Sequence, residues 1–302
     1  MKIIKKLCFL LALGLVLNMN AQQDPHSTLY RYNLSFINPA VAGTNGGVEG
    51  FLGVRDQWAG EQQSPSTQTF NINSPFGDRV GLGLNAMNDD VFIVSEVHLY
   101  ADFSYRLQIA DNTNLYLGLK AGGSFLNIDL GNLGIQNDPL LLGNVSTFNP
   151  NVGVGAYMKN EKYYVSVSAP GLLKNERIDK EGLQPAEASD RIHTFISGGY
   201  YFDLSDTWQL KPSTMVRVVS GAPISIDGTL TAEWNRSFEF GVNYRYDESI
   251  AGIANFLFQD WAKIGFVYEY TTTDVSNYNN GTIELFVKFL IKNNRNQPLE
   301  NN

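Results

Sequence analysis

Side chains able to catalyse a reaction are few and scattered in this sequence. The three histidines are His26, His98 and His193, and no nucleophile-elbow pattern accompanies them. A Ser-His-acid site is assembled in space rather than along the chain, so lipid hydrolysis stays open as an alternative. Polar histidines inside or at the rim of the fold are the better interpretation. We expect no catalytic residue and no enzyme activity.

Two short acidic stretches carry oxygen ligands of the kind that calcium accepts. They are Asn88-Asp89-Asp90 and Asn137-Asp138-Pro139, and neither has the spaced oxygen series of an EF-hand loop. The single cysteine, Cys8, lies in the N-terminal apolar run, so the rest of the chain offers no thiolate ligand and no disulfide. We interpret both stretches as loop residues, with calcium as the alternative, and expect no metal site and no cofactor.

A set of charged residues carries a clearer chemical signal. Each lies on the polar face of a segment whose other face is apolar. Opposite charges enclosed together can form a paired network. Such a network either braces and hydrates the interior or helps to receive a polypeptide, and the residues leave both interpretations open. The candidate members are Arg55, Asp102, Arg106, Lys120, Arg217, Glu239, Arg245, Glu269 and Glu284.

The elements that hold these residues have a period of two. In residues 238–246, for example, Phe238, Phe240 and Val242 alternate with Glu239 and Gly241, which is the pattern of a strand with one apolar face. The sequence predicts 14 such strands, beginning near residues 47, 66, 79, 94, 113, 150, 161, 190, 207, 223, 236, 249, 260 and 281.

Connection lengths favour a transmembrane barrel over a soluble sandwich. The three longest connections, near 128–149, 171–189 and 271–281, all follow odd-numbered strands, and those after even-numbered strands are short. Outer-membrane barrels have this division, with short turns at the periplasmic rim. Trp208, Trp234 and Trp261 fall beside short turns and Trp58 at the other rim, as in an aromatic girdle. Core tryptophans of a soluble periplasmic β-protein are the alternative.

The fold class that follows is all-β: a transmembrane antiparallel β-barrel of about 14 strands, with an irregular N-terminal segment packed at or in it. Residues 1–21 read as a signal peptide, 22–46 as the N-terminal segment, 47–291 as the barrel and 292–302 as a polar tail. With an even strand number both termini are expected at the periplasmic side of the outer membrane. Without the three signal lysines, 19 basic and 30 acidic residues remain, so nucleic acid is not an expected partner.

An ordered series of motifs resembles the PorP/SprF family of type IX secretion outer-membrane proteins. The segment QDPHSTLYRYNLSFINPAVAG contains an NPAxAG motif, here Asn38, Pro39, Ala40 and Gly43 among its residues. The resemblance continues through RDQWAG (55–60), RVGLGLNAMNDD (79–90), YVSVSAPGLL (164–173), LKPSTMVRVVSGAP (210–223) and FGVNYRYDESI (240–250). It covers the chain after residue 21 in order.

The resemblance implies an accessory secretion component rather than a catalyst. Its implied partners are the C-terminal domain of a cognate large cargo protein such as a gliding adhesin, other type IX components and outer-membrane lipid. The alternative is a passive porin or small-solute channel. We expect the segment Asn38 to Gly43 to be ordered, at the periplasmic mouth or inside the lumen.

Overall fold

The structure is a computed structural model that describes residues 27–61, 63–133, 144–173, 191–258, 261–273, 276 and 279–292. The predicted signal peptide 1–21, His26, Asn137-Asp138-Pro139 and the tail beyond Lys292 lie outside the described residues. No helix in the described part of the chain is long and apolar enough to cross a membrane.

Nearly all of the described chain is β-strand. Three short helices come first: the 3-10 helix Tyr30–Tyr32, the one-turn α-helix Leu34–Ile37 and the 3-10 helix Pro39–Val41. A further 3-10 turn, Leu130–Leu133, follows the fifth strand. The strands are β1 (Gly47–Asp56), β2 (Ser66–Phe76), β3 (Val80–Val91), β4 (Val94–Ala110), β5 (Thr113–Ile128), β6 (Val145–Lys159), β7 (Tyr163–Ala169), β8 (His193–Tyr200), β9 (Phe202–Asp203), β10 (Trp208–Val219), β11 (Ser225–Trp234), β12 (Phe238–Arg245), β13 (Ser249–Phe258), β14 (Ala262–Thr271) and β15 (Thr282–Lys292).

The strands form one closed antiparallel sheet. Each pairs with its neighbours in the chain, and β1 pairs with β15 from Gly47 opposite Lys292 to Asp56 opposite Ile283. The two-residue β9 continues β8 against β10 without a change of register, so β8 and β9 cross as one strand. The fold is therefore a 14-strand barrel plus that extra short element, as the sequence predicts.

The barrel is polar inside and apolar outside. In β12, Phe238, Phe240 and Val242 are exposed, whereas Glu239 and Asn243 are no more than 1% exposed. A soluble protein has the opposite arrangement, because it buries its apolar faces away from water. An exposed apolar surface of this extent suits contact with lipid chains. The soluble-sandwich alternative is wrong.

Strand alternation divides the connections between two rims. At the short-turn rim lie the turns 77–79, 111–112, 160–162, 204–207 and 235–237, together with the strand ends Phe258, Ala262, Gly47 and Lys292. The strand ends that flank the connections 57–65, 129–144, 170–192 and 272–281 lie at the opposite end, the long-loop rim. Trp208, Trp234 and Trp261 are exposed at the short-turn rim, with the rings of Trp208 and Trp234 6.5 Å apart. Trp58 lies in connection 57–65 at the other rim.

The described N-terminal residues 27–46, which we call the plug, lie inside this barrel. Leu29, Tyr32 and Ala40 are at most 5% exposed. They are buried although they belong to no strand of the sheet. Two apolar clusters bury the plug. One, around Tyr30, includes Tyr116, Tyr157, Tyr164 and Met215, and the other, around Tyr32, includes Phe51, Ile253 and Phe286. The prediction of an N-terminal segment packed at or in the barrel is confirmed.

Candidate functional site: the plugged lumen

The segment from Asn38 to Gly43 docks on a patch of the wall that has no side chains. Gly81, Gly118 and Gly155 face it from β3, β5 and β6. A Cβ at Gly118 would overlap the backbone of Pro39 and Ala40, and a Cβ at Gly81 would overlap the carbonyl of Ala42. The backbone of the plug therefore lies in direct contact with the backbone of the wall. Only glycine permits this contact, because any Cβ would occupy the space between them.

Asn38 fixes the plug to β6 and β7. Its amide nitrogen donates to the Ala156 carbonyl at 3.0 Å and to the Ser166 hydroxyl at 2.8 Å. Its side-chain oxygen accepts from the Ala40 N–H at 2.9 Å, which caps the helix Pro39–Val41 with proline at its first turn. Asn38 is fully buried. A different side chain at this position that cannot make these hydrogen bonds would leave its buried partners unsatisfied.

The end of the motif is held by β2 and β4. The Gly43 N–H donates to Asn73 at 2.9 Å, and the Ser104 hydroxyl donates to the Ala42 carbonyl at 2.6 Å. Gly43 has a φ of +72°, and a Cβ there would lie 2.8 Å from the Cα of Gly81. The last position of the motif thus needs glycine both for its backbone angle and for space.

One charge cluster lies near the long-loop rim and receives the first described residues. Arg55 lies 3.0 Å from Glu284 and 3.9 Å from Glu269, and Arg245 lies 3.5 Å from Glu269. The Thr28 N–H donates to Glu284 at 2.9 Å, and its hydroxyl donates to Glu269. The plug thus begins at the long-loop end of the lumen and runs back to β1 at the short-turn rim, so it lies inside the lumen, which is one of the two positions expected for it.

A second cluster lies near the short-turn rim around Glu239. This carboxylate accepts from the Tyr32 hydroxyl, from Thr231 at 2.9 Å and from Lys263 at 2.9 Å. Lys211 lies 3.6 Å and Arg31 3.9 Å from it. The cluster joins two plug residues to four strands, β10, β11, β12 and β14, and all of these side chains are at least partly buried.

The plug side chains in this cluster are electrostatically perturbed. Burial lowers the pKa of the Arg31 guanidinium, but Tyr32 and Glu239 outweigh burial and raise the pKa above its ordinary value. Burial raises the pKa of the Tyr32 phenol well above its ordinary value, and the negative charge of Glu239 adds to this. Arg31 is therefore a cation and Tyr32 a neutral hydrogen-bond donor at any physiological pH.

The remaining candidate residues lie elsewhere on the wall. Lys120 and Asp102 form a separate buried pair at 2.9 Å, and Asp102 also accepts from Asn85. Arg217 is buried in β10. Arg106 is exposed on β4 near the short-turn rim, opposite Tyr116 in the ladder. The structure thus brings Arg55, Arg245, Glu269 and Glu284 together and places Glu239, the Asp102–Lys120 pair and Arg106 apart from them.

Several participants were not among the sequence candidates. Asp227 lies 2.9 Å from Arg245, and Lys211, Lys263 and Lys288 line the second cluster and its surroundings. Strand parity was a usable signal for the three lysines, since Lys211, Lys263 and Lys288 lie on the same strand faces as Arg217, Glu269 and Glu284. The glycine patch had a signal too, in the alternate glycines of GLGLN, YLGLK and VGVGA, but which glycines meet the plug depends on tertiary packing.

The residues considered for catalysis or calcium stand as follows. The His98 ring lies 3.7 Å from Glu96, and His193 is buried beside Phe195. Asp89 accepts from Thr67 at 2.7 Å within the β2–β3 hairpin. Among the described residues, no three His, Cys, Asp or Glu side chains are grouped to hold a metal ion.

A cavity of about 700 Å³ opens at the short-turn rim, and we call it the vestibule. The plug forms part of its lining, with Arg31, Tyr32 and Asn45, and the wall supplies the rest. Its charged lining residues are Arg31, Glu49, Lys159, Glu161, Asp203, Asp206, Lys211, Glu233, Arg236, Glu239, Lys263 and Lys288.

Solved structures of outer-membrane channels resemble this barrel. The CymD monoaromatic hydrocarbon channel aligns with a TM-score of 0.50 at 12% identity, over 88% of this chain and 94% of that one. Omp33 of Acinetobacter baumannii aligns at 0.47 with 10% identity, over 81% and 96%, and the NanC porin at 0.43 with 8%, over 81% and 100%. At these identities the likeness concerns the fold alone. No curated protein sequence matches the chain.

A closed, lipid-facing barrel with a polar interior that holds an N-terminal segment defines the class: an outer-membrane β-barrel protein with this segment inside its lumen. The family model of the type IX secretion system membrane protein PorP/SprF matches residues 19–289. The chain therefore belongs to the PorP/SprF family, which associates it with type IX secretion.

Proposed function

We propose that this protein is a non-catalytic accessory component of type IX secretion that binds a cognate large cargo protein. The cargo, such as a gliding adhesin, is recognised through its C-terminal domain and is thereby secreted or held at the cell surface. Family membership supports the secretion role. The long-loop rim supports cargo contact, because the three longest connections follow strands that end there.

The plug is the observation that carries this proposal. It spans the lumen from the Thr28 contacts at the long-loop end to Asn45 at the short-turn end. Its anchors are buried hydrogen bonds, and at the glycine patch the backbone of the plug lies directly against the backbone of the wall. A lumen occupied in this way supports a binding role rather than solute conduction. In this proposal the short-turn rim is periplasmic, as in other outer-membrane barrels.

Deleting the gene tests the cargo role. Surface and medium proteins of the deletion strain are compared with those of the parent by quantitative mass spectrometry. We expect one or a few large type IX substrates to leave the surface while the others are unchanged. A complemented strain serves as the control. An unchanged set of surface and secreted proteins would contradict the proposal.

The passive porin remains the second candidate, since the solved structures of similar fold include channels and porins. It requires a continuous water path, whereas cargo binding does not. Conductance of the purified protein in planar bilayers separates the two. Stable openings of porin size would favour the channel, and their absence would favour cargo binding.

A further inference from the structure

We propose that the vestibule at the short-turn rim is a binding site for a polypeptide segment that ends in a carboxylate and carries a basic residue a few positions before it. The site is distinct from the cargo surface of the long loops. The proposal therefore does not depend on whether the long loops bind cargo. It follows from the shape and the charge distribution of the cavity.

The floor of the vestibule has more cations than carboxylates. Its partly or fully buried charged residues are five cations, Arg31, Lys159, Lys211, Lys263 and Lys288, and three carboxylates, Glu49, Glu233 and Glu239. Water screens such charges poorly in an enclosed site. The floor therefore attracts an anion with a formal excess of two positive charges.

Lys159 is the cation best placed to meet a ligand. Its ammonium donates to the Thr44 carbonyl at 3.1 Å and to the Asn45 side chain at 2.9 Å, which leaves one of its three N–H donors for another acceptor. Within the described part of the chain no carboxylate lies within 4.0 Å of it, whereas Lys211, Lys263 and Lys288 each have one. An incoming carboxylate would give Lys159 a direct ion pair, in addition to the longer-range attraction of Glu49.

The mouth has the opposite charge. Its exposed charged residues are Glu161, Asp203 and Asp206, against the single cation Arg236. An acidic mouth disfavours free anions and polyanions, including nucleic acid and lipopolysaccharide phosphates. A segment that places a basic side chain at the mouth and a carboxylate on the floor matches both the acidic mouth and the cationic floor. Tyr163 and Trp208 line the same cavity and can stack on the basic side chain.

The size of the site agrees with a short peptide. A volume of about 700 Å³ falls within the range of about 300 to 1,000 Å³ that is usual for ligand pockets. The opening faces the water-exposed turns rather than the lipid-facing wall, so a soluble polypeptide reaches it more easily than a lipid does.

Peptide binding to the full-length protein in detergent tests the proposal. The probe is a fluorescent hexapeptide of Gly and Ser with Arg at the third position from its free C-terminal carboxylate. The reference probe is the same peptide with a C-terminal amide. We expect the carboxylate form to bind about 10-fold more tightly, as is usual for one charge-assisted contact, and the difference to shrink at high salt. Equal binding of the two peptides would overturn the proposal.

Two matched variants locate the site. Lys159→Gln keeps a donor for the Thr44 carbonyl but loses the charge, and it should remove most of the preference for the carboxylate peptide. Lys162→Gln changes an exposed lysine in the next turn that does not line the vestibule, and it should have no effect. An equal effect of both variants would place the peptide elsewhere. Binding only after removal of residues 293–302 would show that the chain itself fills the site, and this too would overturn the proposal.

Discussion

At the scale of single residues, the plug is held by shape as much as by hydrogen bonds. Asn38 and Gly43 satisfy backbone groups that have no sheet partner, and the wall glycines remove the atoms that would keep the plug away. Loss of one of these hydrogen bonds is not compensated by another partner, and a buried polar group without a partner costs about 1 to 3 kcal/mol. Small substitutions at these positions therefore have large expected effects.

Gly118→Ala tests the glycine patch. The added methyl group would overlap Pro39 and Ala40, so we expect a loss of about 1 to 3 kcal/mol in the free energy of unfolding, measured by urea titration of the heat-modifiable gel shift. Gly252→Ala is the matched control, because nothing lies within 4 Å of a Cβ there. Equal stability of the two variants would show that the plug does not press on the wall.

Asn38→Asp and Asn38→Ala together test the anchor of the motif. Alanine removes every side-chain bond of Asn38, at a cost of about 2 kcal/mol or more. Aspartate keeps the acceptor for the Ala40 N–H but turns a second oxygen towards the Ala156 carbonyl, which repels it. We therefore expect Asn38→Asp to be at least as destabilising as Asn38→Ala in the same titration. A nearly neutral Asn38→Asp variant would contradict the donor role of the side chain.

At the scale of elements, the charged pairs connect nearby strands on the inner face of the barrel wall. Lys120 and Asp102 face each other in the β4–β5 ladder and are almost completely buried. A pair of this kind contributes little net stability, but an isolated partner is costly. The pair therefore matters mainly because neither residue can be changed alone.

A double-mutant cycle on β4 and β5 tests this dependence. We expect Lys120→Met to lower the free energy of unfolding by about 3 kcal/mol, because it leaves Asp102 charged and buried, and Lys120→Met with Asp102→Asn to recover most of the loss. Stability is measured by urea titration in lipid vesicles. If the double variant is as unstable as the single one, packing of Lys120 rather than its charge is responsible.

At the scale of the whole molecule, plug and barrel form one unit. The plug contacts strands on both sides of the barrel, from β6 and β7 through Asn38 to β12 and β13 through Tyr32. We expect the wild-type protein to show little or no conductance in planar bilayers. A variant without residues 27–46 should show openings of porin size if it folds.

Because that deletion can prevent folding, Tyr32→Ala provides a second approach. It removes a ring that stacks on Phe286 and a hydroxyl that bonds Glu239 and Asn255, and it should raise the frequency of transient openings. Lys162→Ala, at the exposed turn 160–162, is the control. Large steady conductance of the wild-type protein would contradict a closed lumen.

The sequence alone determined the barrel and the presence of an N-terminal segment packed at or in it. Each strand can be recognised from its own alternation of apolar and polar residues. The even strand number and the division between short and long connections follow from counting these strands. The motif Asn38 to Gly43 was also recognisable locally, because it contains an Asn-Pro step and a glycine, which favour a turn.

Tertiary structure decided how the interior is arranged. Glu239 meets Tyr32, 207 positions away, and Thr28 meets Glu284, 256 positions away; no periodicity fixes such pairs, because they depend on where the plug lies within the closed sheet. The same holds for the direction of the plug, which begins at the long-loop end, and for the vestibule, whose walls come from four turns and the ends of β1 and β15 together with the plug. Local sequence determines which face of a strand points inward, whereas only closure of the barrel determines which inward side chains meet.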